Sequence, residues 1–160
     1  KGFKMTGLKK IISGGQSGAD RAALDAAMEC SLAVGGYCPK GRKAVDGVID
    51  PKYPLTEIEG GYAERTLKNV QAADLTAIFY KAFLAGGTEQ TLFFCIKHKK
   101  PYKLIDIAIL DPQEASGLLV DAIRKFNAGI LNVAGPRLSN CPAIYDFVKL
   151  TLLDLLDTKT

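Results

Sequence analysis

A glycine-rich stretch, Ser13-Gly14-Gly15-Gln16-Ser17-Gly18, follows a short apolar run over residues 8–13. The apolar run predicts a strand, and small residues at helical spacing from Ala19 onward predict a helix packed closely on a sheet. Glycines at this junction permit a tight turn and expose backbone N–H groups, and a helix N-terminus favours an oxyanion. The stretch therefore predicts a phosphate site, with Ser17 and Gln16 as further polar contacts. The alternative is that the glycines only form a turn.

Two more glycine loops follow predicted strands. Gly86-Gly87-Thr88 comes after the apolar run that ends at Tyr80, and Gly135-Pro136-Arg137 comes after Ile130–Ala134. Because loops after parallel strands emerge at one edge of the sheet, the three loops should converge on one ligand. Arg137 is a candidate clamp for an oxyanion, and the alternative is a plain surface position.

Charged residues flank these loops. Asp20 lies in the first turn of the predicted first helix, where it either compensates the helix dipole or faces the ligand crevice. Arg21 either pairs with Asp20 or reaches a phosphate with both guanidinium arms. Asp20, Asp46 and Glu89 are weak candidates for catalytic carboxylates, and no residue is assigned a catalytic role with more support.

Residues 39–61 are rich in glycine, proline and charge and show little periodicity. A segment this long inside a compact domain is usually functional, so we expect its basic cluster, Lys40 to Lys43, to close over the ligand. Arg65 and Asn69 share a face of the next predicted helix. They either line the crevice or support this segment.

Composition narrows the class of protein. The chain has 160 residues, 48% of them hydrophobic and 24% charged, with a net charge of +4. This balance predicts one globular domain over residues 1–160 that takes a small anionic ligand and binds neither nucleic acid nor membrane. We expect a cytoplasmic location. Residues 1–7 are expected to be disordered or not native, and Met5 is a candidate natural start.

Several kinds of site are disfavoured by the residues present. The four cysteines form no CxxC pair, and the single histidine, His98, stands among lysines, so no metal site is expected. The P-loop pattern GxxxxGK[ST] and the dinucleotide pattern GxGxxG are both missing, which disfavours ATP hydrolysis and nicotinamide chemistry. One histidine in that setting also disfavours a Ser-His-Asp set.

Predicted strands and helices alternate along the chain. Strands are predicted at 8–13, 32–38, 74–80, 103–107 and 130–134, and helices at 18–30, 62–73, 86–99, 111–126 and 142–156. This order predicts an α/β protein: a Rossmann-like three-layer α/β/α sandwich with a mainly parallel sheet.

The residues also resemble a known family. The blocks that carry the resemblance are Ile12 to Asp25, Gly35 to Gly47, Tyr53-Pro54-Leu55, Arg65-Thr66, Asn69-Val70, Gly86-Gly87-Thr88 and Asn132 to Arg137. Over most of its length the chain resembles the molybdenum cofactor carrier family, a circularly permuted, YpsA-like branch of the SLOG superfamily. That superfamily includes lysine-decarboxylase-like proteins and DNA-processing protein A.

The resemblance implies a Rossmann-like homodimer or homotetramer that binds molybdenum cofactor (molybdopterin) or a nucleotide-like ligand, with no metal held directly by the protein. Together with the loop chemistry it gives these candidate ligand contacts: Gly14, Gly15, Gln16, Ser17, Gly18, Asp20, Arg21, Lys40, Gly41, Arg42, Gly86, Gly87, Thr88, Gly135 and Arg137.

Two departures from related patterns bear on catalysis. Nucleotide-cleaving enzymes of the wider superfamily carry PGGxGTxxE, whereas this chain has Ala85-Gly86-Gly87-Thr88 and no acid three places after Thr88. Leu138 replaces the acid that usually follows Gly-Pro-Arg. A binding or carrier protein is therefore favoured. A nucleotide-processing enzyme that hydrolyses an N-glycosidic or phosphate bond, and a nucleotide-sensing module, remain as alternatives.

Overall fold

A computed structural model describes residues 6–157, so most of the segment 1–7 discussed above lies outside the described residues. The helices are α1 (Ala19–Glu29), α2 (Tyr62–Ala72), α3 (Gly86–Lys97), α4 (Pro112–Lys125) and α5 (Ile144–Leu156). The strands are β1 (Lys10–Ile12), β2 (Ala33–Gly35), β3 (Tyr37–Cys38), β4 (Lys43–Ala44), β5 (Gly47–Val48), β6 (Thr56–Glu57), β7 (Leu75–Tyr80), β8 (Tyr102–Asp106) and β9 (Ile130–Ala134).

Five parallel strands form the central sheet in the order β2-β1-β9-β7-β8. If β9 is counted as the first strand, the order becomes 3-2-1-4-5, the order of a Rossmann sheet whose chain begins at its second strand. The predicted fold class is confirmed. The strand order reverses between β9 and β7, and ligands of such sheets bind beyond the carboxyl ends of the strands at that point.

The sheet is covered on both faces. In β7 every residue from Leu75 to Phe79 is buried, which is typical of a parallel strand between two helical layers. Helices α1, α5 and α4 pack side by side on one face, and α2 packs beside α3 on the other. The buried face of α1 consists mainly of alanines, which lets this helix lie close to the sheet. None of the helices within residues 6–157 is long and apolar enough to cross a membrane.

The strand predicted over 32–38 is in fact two strands, divided at Gly36. Gly36 has φ +125°, and a Cβ added to it would lie 2.0 Å from the Ser13 carbonyl oxygen. The chain therefore leaves the central sheet after β2, and β3 pairs in parallel with β6 instead. Apolar content indicated extended structure here but could not reveal the bend.

Residues 39–61 are more ordered than their composition suggested. They contain the antiparallel hairpin β4–β5 and the strand β6, and they pack on a small core that includes Leu24, Ile49 and Tyr53. The Tyr53 hydroxyl donates to the Asp25 carboxylate at 2.7 Å, and the Tyr145 hydroxyl of α5 donates to the same carboxylate. Burial and this shared carboxylate raise the pKa of both phenols. Asp25 thus joins the segment to α1 and α5.

Candidate functional site

An open cavity of about 850 Å³ lies at the carboxyl edge of β1, β9 and β7, where the strand order reverses. Its volume is within the range of pockets that bury a small molecule. Its wall combines the β1–α1, β7–α3 and β9–α5 loops with one face of α2. The three glycine loops therefore do converge, as the parallel sheet requires.

Eight of the candidate contacts line the cavity: Gly14, Gln16, Asp20, Gly86, Gly87, Thr88, Gly135 and Arg137. Seven do not: Gly15, Ser17, Gly18, Arg21, Lys40, Gly41 and Arg42. Of the weak catalytic candidates, Asp20 lines the cavity, whereas Asp46 and Glu89 lie outside it. Ligand contact by any of these residues stays a prediction.

The β1–α1 loop is closed on itself by hydrogen bonds. The N–H of Gly15 donates to Ser13 Oγ at 3.3 Å, and that of Ser17 to Gln16 Oε1 at 3.1 Å. The N–H of Gln16 donates to Asp20 Oδ2 at 3.2 Å. A carboxylate of the protein therefore accepts from a backbone N–H group that the sequence had suggested for a phosphate. The N–H groups at these three positions of the loop therefore already have acceptors within the protein.

The glycines of the β1–α1 loop allow other parts of the protein to approach its backbone closely. A Cβ on Gly14 would lie 2.0 Å from Arg65 Nη1, and one on Gly18 would lie 2.6 Å from the Pro136 carbonyl oxygen. These two glycines let α2 and the β9–α5 loop press against the β1–α1 loop. The convergence of loops around the cavity thus depends on positions with no side chain.

Asp20 is the acidic side chain of the cavity wall. It is 7% exposed, and Arg65 Nη1 lies 3.5 Å from its Oδ2 while donating to the Gly14 carbonyl at 3.0 Å. Burial raises the pKa of Asp20 to about 6, against the opposing effects of Arg65 and the Gln16 N–H group. Arg65, which the sequence placed either in the crevice or in support of the segment 39–61, lines the cavity and bonds to the β1–α1 loop.

The first turn of α3 forms the opposite wall. Its N-cap, Ala85, provides no side-chain hydrogen bond, and Cβ atoms added to Gly86 or Gly87 would meet no atom within 4 Å. Unlike the β1–α1 glycines, these two face open space. A helix N-terminus without a side-chain cap retains unpaired N–H groups and partial positive charge, so this wall is suited to an anion.

Several cavity residues were missed by sequence reasoning. Lys81 directly follows β7, so its position after a strand could have indicated it. Asn132 lies in the buried strand β9, is 3% exposed and donates to Thr76 Oγ1 at 3.3 Å. A polar residue inside the apolar run 130–134 was the available signal.

Across residues 6–157, neither Lys81 nor Arg137 makes a side-chain hydrogen bond or ion pair, so both cations are open to a ligand.

The family model for circularly permuted YpsA SLOG proteins matches residues 11–156. The chain belongs to the circularly permuted YpsA SLOG family. Among solved structures it is similar to a Syntrophus aciditrophicus SB protein described as a "Putative molybdenum carrier protein" and determined at 1.45 Å resolution. The TM-score is 0.93 at 39% identity, over 95% of this chain and 97% of that one. A search of curated proteins found no match.

In this SLOG protein the position three places after Thr88 is Thr91. Its side chain is buried within α3, and its hydroxyl donates to the Gly87 carbonyl at 2.9 Å. The position that carries glutamate in the wider superfamily therefore holds a hydroxyl satisfied by its own helix. Among residues 6–157, no group of three or more His, Cys, Asp or Glu side chains is arranged to hold a metal ion.

The basic segment of this SLOG protein makes contacts within the protein. Lys40 Nζ lies 3.2 Å from Glu59 Oε1, and the Gly41 N–H donates to Glu57 Oε1 at 2.7 Å. Arg42 donates to the four backbone carbonyls of Ile49, Asp50, Tyr53 and Leu55. In this arrangement Lys40, Gly41 and Arg42 organise the segment 39–61.

The β4–β5 hairpin is attached to the β1–α1 loop. Arg21 holds both carboxylate oxygens of Asp46, with Nη1–Oδ2 at 2.5 Å and Nη2–Oδ1 at 2.7 Å. The pair lowers the pKa of Asp46. Gln16 Oε1 also accepts from the Val45 N–H at 3.0 Å. Arg21 and the side chain of Gln16 therefore position the hairpin.

Asp46→Asn should loosen this hairpin without unfolding the domain. Loss of a partly exposed, two-armed ion pair costs about 0.5–1 kcal/mol. We expect limited trypsin cleavage at Lys43 to become roughly threefold faster, at an almost unchanged melting temperature. Glu59→Gln is the control, because it removes the exposed Lys40–Glu59 pair of the same segment. Equal cleavage rates in both variants would contradict the attachment.

Proposed function

We propose that this chain is a molybdenum carrier protein that holds molybdenum cofactor, or a closely related phosphorylated pterin, in the cavity at the edge of the sheet. The family membership and the description of the Syntrophus aciditrophicus SB protein support the carrier class. The observation that carries the proposal for this chain is the cavity itself. An uncapped helix N-terminus and two unengaged cations, Lys81 and Arg137, face one space of suitable size.

The walls of the cavity suggest how such a ligand is held. A phosphate fits the first turn of α3, where Gly87 leaves the backbone open, and Arg137 can approach it from the β9–α5 loop. The polar floor at Asn132 and the Tyr62 side of α2 suit the polar edge and flat face of a pterin ring. The negative charge of Asp20 keeps the phosphate away from the β1–α1 loop.

Thermal unfolding with a ligand panel tests the proposal. Released molybdenum cofactor at a hundred times its dissociation constant should add about 2.7 kcal/mol to the free energy of unfolding. GMP, ADP-ribose and molybdate complete the panel. Stabilisation by a nucleotide with no effect of the cofactor would reject the proposal in favour of a nucleotide-binding role.

Gly87→Ala should weaken ligand binding without harming the fold. The added methyl meets no protein atom and extends into the space assigned to the phosphate, so we expect the dissociation constant to rise about tenfold. Gly117→Ala in α4 is the matched control, because it makes the same change in a helix, also against open space, away from the cavity. Both variants should unfold at or slightly above the wild-type temperature. Equal affinities would place the phosphate elsewhere.

One observation favours a second candidate, a nucleotide-processing enzyme. Asp20 lies in the cavity wall with its pKa raised to about 6, a value suited to a general acid or base near neutral pH. Incubation with nucleotides and mass spectrometry of the products tests this candidate. Turnover that is abolished in Asp20→Asn supports the enzyme, and no turnover by the wild-type protein rejects it.

A further inference from the structure

The outer face of α3 has large apolar side chains at its centre. Phe93 is 56% exposed and Ile96 is 58% exposed, whereas Thr91 and Cys95 on the inner side are buried. Cys95 packs in a core cluster with Val70 and Ile78. Neighbouring exposed side chains of this size on one helix face are typical of a surface that another protein covers.

The charges on this face are arranged symmetrically about its centre. Glu89 lies four residues before Phe93, and Lys97 lies four residues after it. Residues four apart lie on the same side of a helix, so the three form one stripe: acidic, aromatic, basic. Within the molecule Lys97 Nζ lies 5.8 Å from the centre of the Phe93 ring, and neither Glu89 nor Lys97 has an ion-pair partner among the described residues.

We propose that this stripe binds α3 of a second copy of the chain in an antiparallel pair, with a two-fold axis at Phe93. That axis places the two Phe93 rings against each other and Glu89 of each copy opposite Lys97 of the other. Gln90 of each copy then lies opposite Ile96 of the other. The stripe is thus its own complement in shape and charge, which is the requirement for a two-fold symmetric interface.

The pairing also bears on the cavity. The first turn of α3 lines the cavity, and the helix ends in the basic run Lys97 to Lys100. In an antiparallel pair, the basic end of each α3 lies beside the Gly86–Gly87 wall of the other copy. The second copy therefore adds positive charge to the wall that is suited to an anion.

Sedimentation velocity of the ligand-free chain and its charge-reversal variants tests the interface. Glu89→Lys or Lys97→Glu alone creates two like-charge pairs and should raise the dimer dissociation constant roughly tenfold. The double variant Glu89→Lys/Lys97→Glu restores opposite charges and should return the constant to near the wild-type value. Phe93→Asp should raise it about a hundredfold, because a carboxylate then lies on the axis.

Ile109→Asp is the control, since it places the same charge at an apolar position that is 76% exposed and lies outside α3. It should leave the oligomeric state unchanged. Wild-type protein that is monomeric at its highest soluble concentration overturns the proposal, as does a dimer insensitive to Phe93→Asp or not rescued by the double variant. Because no ligand is present, this result is independent of the proposed carrier function.

Discussion

Replacing Gly18 with alanine should lower the free energy of unfolding by about 3 kcal/mol. Gly18 has φ +88°, which strains any L residue, and the new Cβ would lie 2.6 Å from the Pro136 carbonyl oxygen and 2.7 Å from the Leu138 nitrogen. Strain and overpacking each contribute about 1–3 kcal/mol. For a domain of this size the melting temperature should fall by roughly 10 °C.

Gly41→Ala separates the two causes. Gly41 has a similar φ of +80°, but a Cβ there meets no atom within 4 Å. We therefore expect Gly41→Ala to lower the free energy of unfolding by about 1 kcal/mol, the cost of the backbone strain alone. Chemical denaturation of both variants measures the difference. If Gly18→Ala cost no more than Gly41→Ala, the contact between the β1–α1 and β9–α5 loops would be looser than described, and the position of Arg137 would not depend on it.

The second large effect is the pH dependence of stability that Asp20 causes. Its pKa is about 6 in the folded protein and near 3.8 when unfolded, so folding favours the protonated carboxyl. Its stabilising contribution is complete below pH 3.8 and is lost as the pH rises through 6. We expect the free energy of unfolding to fall by about 3 kcal/mol over this interval, because a pKa difference of one unit corresponds to about 1.36 kcal/mol.

Urea unfolding of the wild type and Asp20→Asn at a series of pH values isolates this effect. Asparagine keeps an oxygen that can accept from the Gln16 N–H but does not titrate in this range. The free energy of unfolding of the wild type minus that of the variant should therefore decrease as the pH rises from 4 to 7. Parallel curves would contradict the raised pKa. Binding of an anionic ligand should likewise strengthen below pH 6 in the wild type alone.

The central fold was predictable because each main element has a strong local pattern. Strands such as β7 and β9 are mainly apolar, and glycine loops follow the points where they end. The strand order was not readable from these patterns, because pairing β9 between β1 and β7 depends on contacts far apart in the chain. The close approach of Gly36 to the Ser13 carbonyl was hidden for the same reason, since it joins residues far apart in the sequence.

The place of the cavity was predictable, but the contacts that its residues make were not. Parallel strands brought Gly14, Gly87 and Arg137 to one cavity, as expected. The sequence alone does not show whether a given glycine or cation contacts a ligand or makes its contacts within the protein. Arg42 satisfies four carbonyls of its own segment, and Gly18 admits a neighbouring loop, while Gly87 faces open space. Only three-dimensional packing separates these cases.

The closed hydrogen-bond system of the β1–α1 loop has a kinetic consequence for a carrier. Gly15, Gln16 and Ser17 already donate to side chains of the protein, so this wall need not become ordered when cargo arrives. For the proposed carrier we therefore expect association without a slow ordering of this loop, and a residence time set by the contacts proposed at α3 and Arg137. Under the same proposal, an acceptor that competes for those few contacts removes the ligand without any opening of the β1–α1 loop.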